Sequence, residues 1–347
     1  MSGVPEEGTV TTDPPREQFS GWAATVNRSL ARNRDTAAVR PRPERVLPHS
    51  RARGLRGRPW SDYGLFLVLV LPNLVLLGLF VYRPLIDDIR LSFTDWNLAD
   101  PIAHFIGLSN YREWLGRSDS WQIVGNTVIF TVAAVAGSMI LGLALALLLD
   151  RKLFGRNVVR SVIFAPFVIS GAAIGVAFQF IFDPSFGLVQ DLLHRLGVAD
   201  APDFYQNSHW ALFMVTITYI WKNLGYSFVI YLAALQGVRP ELSEAAQIDG
   251  AGTWSRFWHV VLPQLRPTTF FLSITVMLNS LQVFDIINVM TRGGPLGTGT
   301  TTMVYQVYLE SFRNFRAGYG ATVATIMFVV LLIITLVQVR VMDREDR

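Results

Sequence analysis

Long apolar runs separated by shorter polar stretches dominate the chain. A run of about 20 residues, at about 1.5 Å per residue in a helix, crosses the hydrocarbon core of a bilayer. About six such runs recur, near positions 62–82, 123–149, 161–181, 211–235, 270–290 and 318–339. Hydrocarbon offers no partner to a free backbone group, so runs of this length read as helices. The pattern predicts an all-α, polytopic membrane protein with about six transmembrane helices, occupying residues 61–347. Residues 1–60 lack this periodicity and are rich in Pro, Arg and Thr. They are expected to form a disordered tail whose basic end, Arg51 to Arg58, abuts the first span. A cleaved signal peptide does not fit, because the first apolar run starts late, is too long and has no small-residue cleavage site after it.

Composition and charge refine the topology. Hydrophobic residues make up 51% of the 347, and the net charge is +4. Basic residues gather in the tail, in the turn holding Arg151, Lys152, Arg156 and Arg160, around Arg239, Arg256 and Arg266, and at the end with Arg340 and Arg344. With six spans these segments share one side, which predicts that both termini are cytoplasmic. The basicity is read as topology, with no nucleic-acid partner. Pro72 and Pro166 fall inside runs and are tolerable there, and Gly137, Gly142, Gly171 and Gly175 allow close helix approach. With no cysteine, thiolate metal sites and cysteine nucleophiles are excluded. His49, His104, His194, His209 and His259 all fall outside the runs, and no His-Glu-x-x-His occurs, so no metal, haem or proton-relay chemistry is expected. No Gly-x-x-x-x-Gly-Lys-Ser/Thr occurs either, so the chain is expected to have no ATP site of its own, no cofactor and no catalytic residues.

One polar insert, residues 240–267, separates the fourth and fifth runs. Pro240 suits a first helical turn, and Glu241 and Glu244 complement its positive end. Asp249-Gly250 reads as the stop. Trp254, Phe257, Trp258 and Val261 then recur at i, i+3, i+4 and i+7, which predicts an amphipathic second helix at the interface or against the spans. Such an insert is a candidate surface for another protein to grip, with an ordinary amphipathic connector as the alternative.

Glu244-Ala245-Ala246, Gly250 and Val260-Val261-Leu262-Pro263 together resemble the EAA loop of ATP-binding-cassette (ABC) importer permeases, with Val260 in place of the commoner isoleucine. Ser92-Phe93-Thr94-Asp95-Trp96, the Phe105–Tyr111 stretch, Asn126-Thr127, Phe284-Asp285 and Met290–Pro295 resemble the carbohydrate branch of that family, near the maltose and glycerol-phosphate permeases. The core of the resemblance covers about 119–340. It implies a multi-pass subunit of the bacterial inner (plasma) membrane. Its implied partners are a second permease subunit (a heterodimer), two ATPase subunits that bind the ATP, and an extracytoplasmic solute-binding protein. Glu244, Ala245, Ala246, Gly250, Leu262 and Pro263 are then the expected ATPase-coupling residues. Import of a di- or oligosaccharide is implied, with a monosaccharide or a glycerol-phosphate-type solute as the alternative. A secondary transporter, or a membrane enzyme or scaffold, fits less well.

Polar side chains within the runs mark the expected path. Thr275, Asn279 and Gln282 share one helical face. Trp221, Lys222, Asn223 and Tyr226 interrupt the fourth run. For any one of these, interhelical hydrogen bonding is the plain alternative. The resemblance places Trp221, Tyr226, Asn279, Ser280 and Val283, beside Gln282, at substrate-contact positions. Lys222 has three open readings: attraction of an anionic group, snorkelling, or pairing with Asp285.

Overall fold

The computed structural model describes residues 60–99, 102–150, 155–198, 202–295 and 297–345. The expected tail, except Trp60, lies outside the described residues. Among the described residues there is no strand, only an isolated bridge between Thr94 and Phe105. Helix α1 (Trp60–Leu77) passes through a π-turn (Gly78–Tyr82) into α2 (Arg83–Leu91). Then come α3 (Ser109–Gly116), α4 (Ser118–Leu149), α5 (Arg156–Val168), α6 (Gly171–Ile181), α7 (Leu188–Arg195) and α8 (Ser208–Leu235). The polar insert holds α9 (Pro240–Ile248), α10 (Thr253–Arg256), a π-turn (Phe257–Val261) and α11 (Leu262–Gln264). Helices α12 (Arg266–Leu281), α13 (Asp285–Met290), α14 (Met303–Tyr308) with a π-turn (Leu309–Arg313), and α15 (Ala317–Glu345) complete the chain.

Among the described residues, four stretches are long and apolar enough to cross a membrane: Phe66–Leu91, Ser118–Leu149, Arg266–Met290 and Ala317–Val341. The α5–α6 pair makes a fifth if it counts as one span. The expected sixth is α8. Its 28 residues reach about 42 Å, yet Trp221-Lys222-Asn223 at its middle dilute its hydropathy. The third run differs from a straight span. Helix α5 stops at Val168, two residues after Pro166, and α6 starts at Gly171 with its axis turned by 99°. Ile169 and Ser170 between them are extended.

The chain divides between Pro72 and Asn73. Within Asn73–Arg347, α8 is the most enclosed long helix, with half of its residues buried. Its upper half joins Phe130, Ala134, Ile286 and Ile287 in one apolar cluster through Met214, Val215 and Tyr219. Its lower half joins Ala146, Leu149, Leu265 and Leu272 in another through Phe228, Tyr231, Leu232 and Leu235. Glycine seams bring its neighbours close. A Cβ on Gly137 would strike Ile220, and one on Gly142 would overlap Ser227 and Phe228 of α8. A Cβ on Gly225 would strike the Ile163 carbonyl of α5. Gly171 and Gly175 serve the seam between α6 and α13, against Asp285 and Val289. All four glycines expected to permit close approach therefore lie at helix contacts.

At the end of the bundle away from the insert, side-chain amides hold irregular backbone. Asn126 Nδ2 donates to the carbonyls of Thr298 (2.7 Å), Gly299 (3.3 Å) and Thr301 (3.3 Å). The Met303 amide donates to Thr127 Oγ1 at 3.0 Å. Asn110 Nδ2 spans the Ser92 (3.2 Å) and Thr94 (2.9 Å) carbonyls, and Thr322 Oγ1 donates to Ser92 at 2.9 Å. Buried Glu310 meets Arg117 (4.0 Å) and Arg316 (3.8 Å), and Arg316 also reaches Glu113 (2.6 Å).

Gly225→Ala should cost about 1–3 kcal/mol by overpacking the α5–α8 seam. Gly125→Ala, with open space around its Cβ position, should be neutral or stabilising. Thermal unfolding of the two variants in detergent checks this contrast.

Candidate functional site

The insert is a two-armed loop with one free arm. Helix α9 has Pro240 in its first turn, Glu241 at its positive end, and no buried residue. Glu244 and Ala245 are exposed, and Ala246 is half-buried. Its end is a Schellman stop. The Ala251 amide donates to the Ala246 carbonyl (2.9 Å) and the Gly250 amide to Gln247 (3.1 Å), with Gly250 left-handed at φ 84°. Leu242 and Ile248 project outward, Ile248 at 87% exposure. An apolar side chain that open, beside small alanines and a carboxylate, gives the arm a face suited to contact.

The second arm is fastened to the bundle. Leu262 and Pro263 are half-buried, and Leu265 is wholly buried among Ala146, Leu149, Phe228 and Leu235. Arg256 Nη1 donates to Gln247 Oε1 of the first arm at 3.0 Å, and the Arg239 amide donates to Gln264 Oε1 at 3.3 Å. The expected amphipathic face splits. Phe257 and Val261 turn inward, whereas Trp254 is 73% and Trp258 47% exposed. Trp254, Phe257 and Trp258 pack on one another, with centroids 5.5–5.9 Å apart. The two tryptophans do not pack on the spans; they point outward, as interfacial side chains do.

The second candidate surface lies on α8 and α12. Trp221, Asn279 and Gln282 are exposed, and Tyr226 is half-buried. Ser280 and Val283 face inward instead. Ser280 is wholly buried with its Oγ donating to the Met277 carbonyl (2.8 Å), and Val283 joins the Phe130–Tyr219 cluster. The exposed residues have aromatic companions that the sequence did not single out. The Phe167 ring stacks on Tyr226 (5.2 Å, 23°), and Phe178 lies against Trp221 (5.2 Å, 50°). Lys222 lies between these pairs along α8. Its Nζ donates to the Phe167 carbonyl at 3.1 Å and stands 5.4 Å from the Phe167 ring centre. Its direct partner is a backbone carbonyl at a helix end, and the Asp285 carboxylate also acts on it electrostatically, as the pairing reading expects. The aromatic pairs can stack on apolar ring faces, and the exposed Asn279 and Gln282 amides can hydrogen-bond hydroxyls.

Residues 138–345 match the family described as binding-protein-dependent transport system inner membrane component. A probable ABC transporter permease protein of Pyrococcus horikoshii is 35% identical, covering 79% of this chain and 94% of that protein. The sulfoquinovosyl glycerol transport system permease protein of Agrobacterium fabrum is 32% identical, covering 88% of this chain and 100% of that protein. Among solved structures, a chain of a bacterial ABC transporter involved in import of the acidic polysaccharide alginate shares the fold. Its TM-score is 0.71 at 23% identity, covering 82% of this chain and 98% of that one.

Gly250→Val should weaken the stop between the two arms by about 1–2 kcal/mol, because a side chain disfavours the left-handed backbone. Gly252→Ala, at φ −67° with open space, should not. Limited proteolysis of the loop compares them: faster cleavage near 250 is expected only for the valine variant.

Proposed function

Because the chain belongs to the family of binding-protein-dependent transport system inner membrane components, as a permease subunit of a sugar ABC importer, we propose that it forms half of a translocation path driven through loop 240–267. The observation that carries this reading is the free first arm of the loop. Helix α9 is stopped by its own hydrogen bonds, has no fully buried residue, and presents Glu244, Ala245 and Ile248 outward. Such an arm is shaped to enter a cleft on another protein, with Glu244 as polar anchor and the alanines permitting close approach. The second arm, anchored by Leu262, Pro263 and buried Leu265, passes that movement to α12.

In this reading the partners are a second permease subunit, two cytoplasmic ATPase subunits that bind the ATP, and an extracytoplasmic solute-binding protein. Arg156, Arg160, Arg239, Arg256 and Arg266 cluster in sequence around the turn and the loop, which favours the cytoplasm for that side and for both termini. The tail at 1–60 and the permease domain at 61–347 are separate regions in this account. The solute passes Trp221, Tyr226, Asn279 and Gln282, while Ser280 and Val283, now buried, become accessible only as helices shift. Aromatic faces beside amides suit a di- or oligosaccharide. The chain binds no cofactor, and ATP closure of the ATPases supplies the work.

Two measurements test this. Glu244→Arg should leave the subunit in the membrane and lower solute-stimulated ATP hydrolysis and uptake more than tenfold, as charge reversal in a docked interface does. Full uptake with that change would remove Glu244 from the coupling role. Tyr226→Ala should lower uptake roughly fivefold while the ATPase still co-purifies. Unchanged transport kinetics would place the path elsewhere.

A further inference from the structure

The broken third span joins the two sides of the loop. Helix α5 is fastened to α8, where Gly225 lies against the Ile163 carbonyl and Phe164 Cα. Helix α6 is fastened to α13, where Gly175 meets Val289 and Gln179 Nε2 donates to the carbonyls of Val289 (2.9 Å) and Met290 (3.3 Å). In the chain, α8 leads into the loop, and α12–α13 leads out of it. Only Ile169 and Ser170 separate the two halves of the span. Both are extended, and neither adds a helical bond across the 99° turn.

Each cut end of the span has an opposite charge from the element it packs on. Helix α5 ends with carbonyls that have lost their partners, and the Lys222 ammonium of α8 donates to one of them, Phe167, at 3.1 Å. Helix α6 begins at Gly171, where a Cβ would overlap the Asp285 carboxylate of α13. A negative group there complements the positive helix end. Lys222 lies near the middle of α8 and is one of only two lysines in the chain, the other being Lys152. A charge at that depth is costly without such a role.

We propose that Ile169–Ser170 is a joint, with Lys222 and Asp285 as positioning residues that hold its two ends. Movement of the loop then changes the angle between α5 and α6. Phe167, whose carbonyl Lys222 holds and whose ring stacks on Tyr226, moves with the joint, so the aromatic surface is re-shaped in the same step. This rests on the reading of loop 240–267 as the coupling element.

The chain has no native cysteine, so spin labels can be placed on it singly or in pairs. The experiment uses the intact complex in lipid. One labelled pair, Val159→Cys with Phe180→Cys, spans the joint, and both sites are exposed. A second pair, Val159→Cys with Val229→Cys, stays on α5 and α8. Electron–electron distances are measured without nucleotide and with ATP plus vanadate. ATP should shift the first distance and leave the second unchanged. In Lys222→Met and in Asp285→Asn the ATP-dependent shift should be lost or its distribution broadened, and Lys222→Arg should restore it. ATP-driven change in the first distance should be about tenfold less populated in Lys222→Met, the effect of losing a charge-assisted hydrogen bond. An unchanged first distance in the unsubstituted background overturns the joint, even where Glu244→Arg still uncouples transport. An intact shift in both Lys222→Met and Asp285→Asn overturns the positioning role. Should Lys222→Met fail to assemble, the unsubstituted pair and Asp285→Asn still decide the matter.

Discussion

A helix with Trp-Lys-Asn at its centre cannot face acyl chains, and most of the architecture answers to that constraint. Helix α8 satisfies it by burying half of its residues against neighbouring helices. Glycines on α4 bring one wall to van der Waals contact, and its own Gly225 admits the backbone of α5. Apolar side chains of α12 and α13 close much of the rest. The enclosure explains why α8 combines many buried residues with low hydropathy, while the outer helices are more apolar and less buried. Polar groups are affordable at this depth only where protein, not lipid, is the solvent.

Irregular backbone follows the same rule. The break between α5 and α6 and the stretches 293–295 and 297–302 leave regular hydrogen bonding. Each is met by side chains: Lys222 at the break, Asn126, Thr127 and a set of buried threonines at the two stretches. The short segments that mark the family in sequence, such as Ser92–Trp96 and Asn126-Thr127, are largely these hydrogen-bonding groups. They are fixed by backbone geometry as much as by solute.

Local features were legible in the sequence, and contacts between distant segments were not. The loop could be read residue by residue, because Pro240, Gly250 and the Leu262-Pro263 pair act on their own neighbourhood. The long helices followed from hydropathy alone. The turn after Pro166 could not be foreseen, since proline is common within spans and does not by itself fix a bend. The inward placement of Ser280 and Val283 escaped for another reason. Both were placed by resemblance to relatives, and the helical face read from this sequence, through Asn279 and Gln282, is the exposed one. Phe167 and Phe178 were invisible as site residues because phenylalanine in an apolar run carries no signal of its own.

The enclosure of α8 also sets a timetable for biosynthesis. The first apolar stretch, Phe66–Leu91, has no buried residue in its most apolar window and needs no protein neighbour to enter lipid. Helix α8 is the opposite: alone in a bilayer it would expose the Lys222 ammonium and the Asn223 amide. The ribosome makes α4 and α5, two of its walls, before it makes α8, so cover exists when the polar helix leaves the translocon. The wall from α12 and α13 arrives only after the loop has been synthesised, and until then α8 remains half-covered. Insertion of this chain is therefore ordered by the polarity of one helix, and the loop is the interval during which that helix waits for its last neighbours.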